Sequence, residues 1–206
     1  MNSIVLARLP PERIPILAFV GASGSGKTTL LTKILPLLKE QGLRVGAIKH
    51  THHDFDIDVP GKDSYELRKA GAIQTLIGSK QRWALIVERQ TEDHGLLSDL
   101  LQQLRLDDLD IVLTEGFKDE PVCKIEVYRP TLGKALLCGD DPYVIAVATD
   151  QALPRANPML TIDLNDPDAI VHFILKRFSI HARLRSPNGD QHLARVGWVQ
   201  PIKARL

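Results

Sequence analysis

An eight-residue segment near the N-terminus has the residue types and spacing of a phosphate-binding loop. It matches the pattern G-x-x-x-x-G-K-[ST] at every position and reads Gly21-Ala22-Ser23-Gly24-Ser25-Gly26-Lys27-Thr28. The glycines let backbone N–H groups approach phosphate oxygens without a Cβ in the way, and a following helix would direct its positive end at the same anion. In this pattern Lys27 is expected to reach the β- and γ-phosphates, and the Thr28 hydroxyl to bind Mg²⁺. The segment therefore predicts a nucleotide site.

A loop of this type needs a carboxylate opposite it to hold the metal ion or its waters. Glu115 directly follows the apolar run Asp110–Thr114. An acid after a buried strand reaches the carboxyl edge of the sheet, where open α/β sheets bind ligands. We therefore expect Glu115 to share the magnesium ion with Thr28, and Lys27 and Glu115 to carry any catalysis; the alternative is that Glu115 caps the strand at the surface. Gly116 would allow close approach to the phosphates.

A polar cluster follows the second apolar strand. Lys49 and His50 end this strand and are expected at the same edge of the sheet. Imidazoles with a nearby carboxylate are competent ligands for a transition metal, and the cluster provides His50, His52, His53 and Asp54. It is equally suited to polar contacts with phosphate, Mg²⁺-bound water or a substrate, or it is a solvated loop. The sequence leaves these three interpretations open.

A carboxylate also follows a late strand. Guanine recognition in many GTPases uses an N-K-x-D sequence, which does not occur here. Asp150 instead follows Ala148-Thr149. Its carboxylate is suited to accept hydrogen bonds from guanine N1 and N2, which adenine does not offer in the same way. Asp150 is therefore a candidate base contact, and the alternative is that it begins a turn.

The apolar pattern predicts strands alternating with helices. Strands are expected at Ile16–Val20, Leu43–Ile48, Ile73–Ile77, Trp83–Val87, Leu109–Leu113, Val122–Tyr128 and Tyr143–Ala148. Helices are expected at Thr28–Gln41 (kinked or shortened by Pro36), Asp63–Ala70 (begun by a capping box of Asp63 and Glu66), Leu96–Leu104 and Asp168–Phe178. The alternating run Asp54–Val59 predicts a half-exposed strand or an ordered loop. This order favours a mostly parallel sheet with helices on both faces and a small antiparallel excursion.

Composition excludes several classes of protein. The 206 residues include 44% hydrophobic and 25% charged residues, with a formal net charge of +1, which gives no support for a nucleic-acid or membrane binder. Two cysteines, Cys123 and Cys138, are too few for a disulfide scaffold and are expected in the core. No apolar run approaches the roughly 20 residues needed to cross a bilayer, so a cytoplasmic protein is expected. We predict a lead-in over residues 1–14, one domain over 15–180, and a basic tail over 181–206 that is disordered or a separate docking segment.

Five stretches together resemble the MobB family of molybdopterin-guanine dinucleotide biosynthesis adaptor proteins. They read LAFVGASGSGKTTLL, GLRVGAIKHTHHDFDIDVPGKDSYELRKAGA, QRWALIVE, LDIVLTEGFK and VIAVATD. The resemblance covers about residues 15 to 178. It implies a P-loop NTPase fold of the GTPase-like kind, a homodimer, GTP with Mg²⁺ as ligand, and a role beside the MobA guanylyltransferase, which joins GMP to molybdopterin.

The resemblance also implies residue roles. Gly24 through Thr29 would hold the phosphates, with Thr28 and Glu115 at the magnesium ion. The mouth of the site would be lined by the segment from His50 to Asp54 and by Glu115-Gly116-Phe117-Lys118.

The resulting hypothesis is a GTP-binding accessory protein that hydrolyses GTP slowly if at all. The sequence supplies no obvious water-positioning glutamine or arginine finger, and Gln74 and Gln81 are candidates that cannot be placed. One alternative is a metallochaperone GTPase that carries nickel or zinc on His50, His52 and His53. Another is a small-molecule kinase, which would prefer ATP.

Overall fold

The structure is a computed structural model that describes residues 14–51, 55–89, 96–153 and 159–180. The described residues divide into two compact units, the first within residues 1–50 and 100–206 and the second within Thr51–Asp99. The tail over residues 181–206 and nearly all of the lead-in lie outside the described residues. The domain boundaries therefore stay predictions.

The described elements alternate along the chain as the apolar pattern predicts. In chain order they are β1 (Ile16–Val20), α1 (Lys27–Glu40), β2 (Val45–Lys49), α2 (Asp63–Lys69), β3 (Gln74–Gly78), β4 (Trp83–Val87), α3 (Leu96–Gln102), β5 (Ile111–Glu115), β6 (Cys123–Tyr128), β7 (Val144–Thr149), β8 (Thr161–Asp163) and α4 (Pro167–Arg177). Short 3-10 turns lie at Leu106–Asp108 and Pro130–Leu132. Strand β8 was not predicted, since three residues are too short for a periodic signal.

The first unit contains a six-stranded sheet in the order β2-β5-β1-β6-β7-β8. Every neighbouring pair is parallel. In this order the strand that feeds the glycine-rich segment lies between β5 and β6, so the segments following these three strands meet at one edge. The predicted mostly parallel α/β fold is confirmed.

Helices α1 and α4 pack against each other and against alternating strand residues. Leu17 and Phe19 of β1 are fully buried there, together with Ile34 of α1 and Ile174 of α4. Burial of this apolar stripe holds α1 over the sheet. The helix continues through Pro36 to Glu40, close to its predicted end, so of the expected kink or shortening the shortening does not occur. Among the described helices, none has the length and apolar character to cross a membrane.

The second unit contains α2 and a two-stranded antiparallel sheet of β3 and β4, which is separate from the main sheet. Helix α2 begins after Lys62, which makes no side-chain cap, so the predicted capping box is wrong. Asp63 already lies inside the helix, where its carboxylate cannot accept from the third N–H group. Residues 55–59 form a loop rather than a strand.

Candidate nucleotide-binding site

The glycine-rich segment joins β1 to α1 as predicted. Three of its glycines have positive φ angles: 133° at Gly21, 79° at Gly24 and 99° at Gly26. A Cβ at Gly21 would lie 2.3 Å from the carbonyl oxygen of Val127, so only glycine fits there. Gly26 is the N-cap of α1 and provides no side chain to cap it. The first N–H groups of a 14-residue helix therefore remain available for an anion.

Lys27 lies across this loop. Its ammonium donates hydrogen bonds to the carbonyl oxygens of Gly21, at 2.9 Å, and Ala22, at 2.8 Å. Burial lowers the pKa of Lys27; the Glu115 carboxylate opposes this shift and the Lys49 ammonium adds to it. A bound anion would favour the charged form of Lys27. The geometry therefore places a partly buried cation against two carbonyl oxygens of the loop.

Ser25 adds an unsatisfied polar atom to the same loop. It is almost fully buried, and its hydroxyl has no hydrogen-bond partner among the described residues. Buried hydroxyls without a partner are costly, so such an atom indicates a missing ligand or water. Ser23, Gly24 and Thr29 are exposed around it. The loop thus combines exposed residues with one buried hydroxyl that has no partner among the described residues.

Glu115 completes the site from β5. It is the last residue of that strand, and alternation puts its side chain on the same face as Ile111 and Leu113, the face covered by α1. Both of its carboxylate oxygens lie 2.8 Å from the Thr28 hydroxyl oxygen, which donates to one of them. Hydroxyl and carboxylate oxygens are the hard ligands that Mg²⁺ prefers. The two residues predicted for a magnesium ion are therefore brought together and fit one.

Lys49 is the third charged group at this point. Its ammonium lies 3.4 Å from the Thr28 hydroxyl oxygen and 3.4 Å from one Glu115 oxygen. Lys49 is paired in register with Glu115 across β2 and β5, which explains the contact. The prediction that Lys49 ends the second strand and lies at this edge of the sheet is confirmed.

The residues after β5 adopt backbone conformations that ordinary side chains rarely adopt. Gly116 has a φ of 94° and Phe117 one of 61°. A Cβ on Gly116 would lie 3.0 Å from the His50 Cβ. The Phe117 ring is buried and stacks on the His50 imidazole with 5.0 Å between ring centroids. His50 and Gly116 are thus held beside Glu115, and Lys118 lies exposed in the next turn.

His52, His53 and Asp54 lie outside the described residues. Within the described ranges, no group of three His, Cys, Asp or Glu side chains is arranged to hold a metal ion. The transition-metal interpretation therefore stays a prediction.

Asp150 follows β7 and pairs with an arginine that sequence reasoning missed. Arg129 directly follows β6, and its guanidinium binds the Asp150 carboxylate and donates to the carbonyl oxygen of Ser25 at 3.1 Å. Its position immediately after a predicted strand was the available signal. The other Asp150 oxygen is buried without a described partner. A cavity of about 280 Å³ opens here, lined by residues 149–152, Thr161, Ile162, Asp163 and Asn165.

The two candidate glutamines and the two cysteines belong to other parts of the structure. Gln74 and Gln81 belong to the hairpin of the second unit. Cys123 packs against the main core and Cys138 is buried in a smaller cluster, so both are core residues as expected. Burial raises the pKa of the Cys123 thiol.

A parallel sheet with a glycine-rich loop between its central strand and a helix, opposite a strand-end carboxylate, defines an α/β protein of the P-loop NTPase-like fold. Residues 16–150 match the family described as molybdopterin guanine dinucleotide synthesis protein B, MobB. The chain belongs to this family.

Two bacterial adapter proteins and a solved structure are similar to this chain over most of their own length. The chain is 47% identical over 166 residues to the molybdopterin-guanine dinucleotide biosynthesis adapter protein of Escherichia coli, covering 79% of this chain and 93% of that one. The adapter protein of the same name from Haemophilus influenzae is 42% identical, with 79% and 89% covered. The crystal structure of Bacillus subtilis MobB matches with a TM-score of 0.63 at 30% identity, covering 80% of this chain and 98% of that one.

Proposed function

We propose that this chain binds GTP with Mg²⁺ and acts as an adapter in the formation of molybdopterin-guanine dinucleotide. The adapter role rests on family membership and on the similarity to the two bacterial adapter proteins. Nucleotide binding rests on one observation above all, the meeting of Thr28 with Glu115 beside a glycine-rich loop that Lys27 contacts. That arrangement supplies both an anion cradle and a hard cation site.

In this proposal, different residues bind the phosphates, the Mg²⁺ ion and the base of the nucleotide. The backbone of Gly24 to Thr29 and the Lys27 ammonium would bind phosphates, so Lys27 must release the carbonyl oxygens of Gly21 and Ala22. Thr28 and Glu115 would hold Mg²⁺, which neutralises phosphate charge when bound. Asp150, next to the cavity after β7, would accept from guanine N–H groups. Lys27 and Glu115 are thus the residues on which any hydrolysis depends.

In this proposal the chain hydrolyses GTP slowly, if at all. Fast hydrolysis also requires a group that orients the attacking water, and the sequence contains no motif that supplies one. Such a protein would hold GTP for long enough to act in a complex.

The proposed partners are a MobA-like guanylyltransferase and its molybdopterin substrate. The phosphate and dithiolene of molybdopterin are anionic, and the exposed ammonium groups of Lys49 and Lys118, with His50, suit such a ligand at this edge of the sheet. No nucleic acid or membrane partner is part of the proposal, and a cytoplasmic location stays a prediction.

We further infer that two copies of this chain form a homodimer. Cross-strand register puts Leu76, Trp83, Leu85 and Val87 on one side of the hairpin, here named the hairpin face. Leu76 is 66% exposed and Trp83 58% exposed. A two-stranded hairpin is marginal alone in water, and exposed apolar patches of this kind commonly mark contacts with protein. A second copy presents a matching hairpin, which supports self-association.

Calorimetry tests the nucleotide part of the proposal. GTP and ATP are titrated with and without Mg²⁺ into the wild type, Lys27→Ala and the control Lys33→Ala, whose side chain lies exposed on α1. We expect Mg²⁺-dependent binding with preference for GTP, lost in Lys27→Ala alone while circular dichroism is unchanged. GTP affinity that survives in Lys27→Ala would contradict the phosphate role.

A second titration tests the adapter role. Molybdopterin-loaded guanylyltransferase is added to the chain with and without GTP. Complex formation is expected, and a chain that binds GTP but never this enzyme would contradict the adapter role.

A further inference from the structure

Arg129 connects two parts of the proposed nucleotide site that lie far apart in sequence. Its Nε donates to the carbonyl oxygen of Ser25, 104 residues away, and its Nη1 binds Asp150. Its Nη2 would lie 3.7 Å from a Cβ at Gly26. One guanidinium thus lies against the phosphate-binding loop and the carboxylate at the cavity.

The fold produces this contact through the order of three neighbouring strands. Strand β6 lies between β1 and β7, so the residue after β6 is flanked by the loop after β1 and by the residue after β7. Arg129 is only partly exposed, and its donors form a planar fork. A fork of this kind can hold a carbonyl oxygen and a carboxylate at once, which a lysine cannot do with the same geometry.

The contact with Arg129 makes the two carboxylate oxygens of Asp150 different from each other. One carboxylate oxygen is bound by Arg129, while the other is buried and has no hydrogen-bond partner among the described residues. The carboxylate side chain is 18% exposed and borders a cavity of about 280 Å³. That volume is close to the roughly 300 Å³ at which the range typical of ligand pockets begins.

We propose that Arg129 is a positioning residue for base recognition: it fixes Asp150 so that the free oxygen accepts from the N–H edge of guanine, and it joins that carboxylate to the phosphate-binding loop. This inference rests on the proposed GTP binding. It goes beyond it by assigning base preference to a residue outside the recognised motifs. A carboxylate held in this way favours guanine over adenine, because adenine presents an acceptor at N1.

The test measures the ratio of GTP to ATP affinity in matched variants. Arg129→Met removes the fork, and Arg44→Met is the control. Arg44 lies in the same unit, and its side chain is similarly exposed, at 37% against 33% for Arg129. It is also paired with a carboxylate, Asp110, but at the other end of the strands. Both are measured by calorimetry with Mg²⁺ at equal salt concentration.

We expect Arg129→Met to reduce the GTP-to-ATP ratio by at least about tenfold, the scale of one hydrogen bond to a charged group. Arg44→Met is expected to leave the ratio within about twofold. In an Asp150→Asn background, Arg129→Met is expected to change the ratio no further, since the two residues act as one unit.

An equal loss of GTP and ATP affinity in Arg129→Met would overturn the inference. If Arg129 only stabilised the phosphate-binding loop, its loss would weaken both nucleotides alike. An unchanged ratio with unchanged affinities would overturn it as well. Failure of the proposed function looks different: the wild type itself then binds neither nucleotide. Wild-type binding without base preference would overturn the inference and leave nucleotide binding standing.

Discussion

Lys49 and Glu115 are register partners on adjacent parallel strands, and the Lys49 ammonium lies 3.4 Å from a Glu115 carboxylate oxygen. The same ammonium lies 3.4 Å from the Thr28 hydroxyl oxygen. It therefore contacts both oxygen donors that we propose for Mg²⁺. A cation on the chain and a metal ion would compete for these oxygens.

Replacing Lys49 is expected to strengthen Mg²⁺ binding. Lys49→Met removes the competing charge, and an ion pair this exposed contributes up to about 1 kcal/mol, so we expect the half-saturating Mg²⁺ concentration to fall by up to about fivefold. Fluorescence titration of the GTP-bound protein with Mg²⁺ measures this concentration, and Lys33→Met is the control. A higher Mg²⁺ requirement in Lys49→Met would show that Lys49 assists the metal ion or the phosphates instead.

Replacing Glu115 is expected to weaken Mg²⁺ binding. Glu115→Gln keeps the shape and removes the charge. We expect the half-saturating Mg²⁺ concentration to rise roughly ten- to a hundredfold, the loss common even when a partner of a metal ligand is removed. Glu120→Gln, in the turn after β5, is the control. An unaltered Mg²⁺ dependence would move the metal site elsewhere.

Gly21 and Gly24 are expected to differ in their tolerance of a methyl group. Gly21→Ala combines a positive φ with a Cβ 2.3 Å from the carbonyl oxygen of Val127, so we expect a loss of about 2–4 kcal/mol in the free energy of unfolding. Gly24→Ala meets no atom within 4 Å and is expected to lose about 1–2 kcal/mol from backbone strain alone. Urea denaturation measures both, and equal losses would contradict the steric argument.

The buried Glu126 is expected to make stability depend on pH. Its carboxylate accepts hydrogen bonds from the N–H groups of Leu137, at 2.8 Å, and Cys138, at 3.0 Å. Burial is the main influence on its pKa and raises it above the ordinary value of 4.5. A raised folded-state pKa means that the stabilising contribution is complete below the unfolded value and is lost as pH rises through the folded one.

Glu126→Gln therefore gains stability relative to the wild type as pH rises from below 4.5 towards neutral. Urea denaturation across this range measures the difference, with Glu40→Gln at the exposed end of α1 as the control. A difference that stays constant with pH would contradict the assignment to Glu126.

The hairpin face is expected to control self-association. Trp83→Ser removes the largest of its side chains and is expected to shift the chain from dimer to monomer in sedimentation velocity, since aromatic anchors carry much of an interface's energy. Leu160→Ser is the control, because Leu160 is also exposed, at 51%, but belongs to the first unit. A Trp83→Ser dimer as stable as the wild type would place the interface elsewhere.

Much of the candidate site was predictable because its signals are local. The phosphate-binding loop is one continuous segment, and its glycine conformations follow from steric rules that act within a few residues. Glu115, Lys49 and Asp150 were found by one rule, that residues ending parallel strands reach the same edge. The same rule applied to Arg129 would have named it, but no motif drew attention to the end of that strand.

The errors arose where local signals compete with tertiary packing. Pro36 was expected to kink or shorten α1, yet the helix keeps nearly its predicted length, with Ile34 and Leu38 buried on either side of the proline. The capping box failed because α2 starts after Lys62, and a shift of one residue changes which side chain can cap. Strand β8 has three residues and exists through its pairing with β7.

The order of residues along the chain was enough to predict that a strand, a phosphate-binding loop and a helix follow one another, and which acids and bases end the other strands. These features depend on spacing along the chain. The strand order β5-β1-β6-β7 became evident from the fold alone, and with it the contact by which Arg129 joins Ser25 to Asp150. The meeting of Thr28 with Glu115 was expected from the strand ends, and the fold gave its distance of 2.8 Å. Strand order depends on how helices cover the sheet and bury its core, and that packing involves residues distant in sequence.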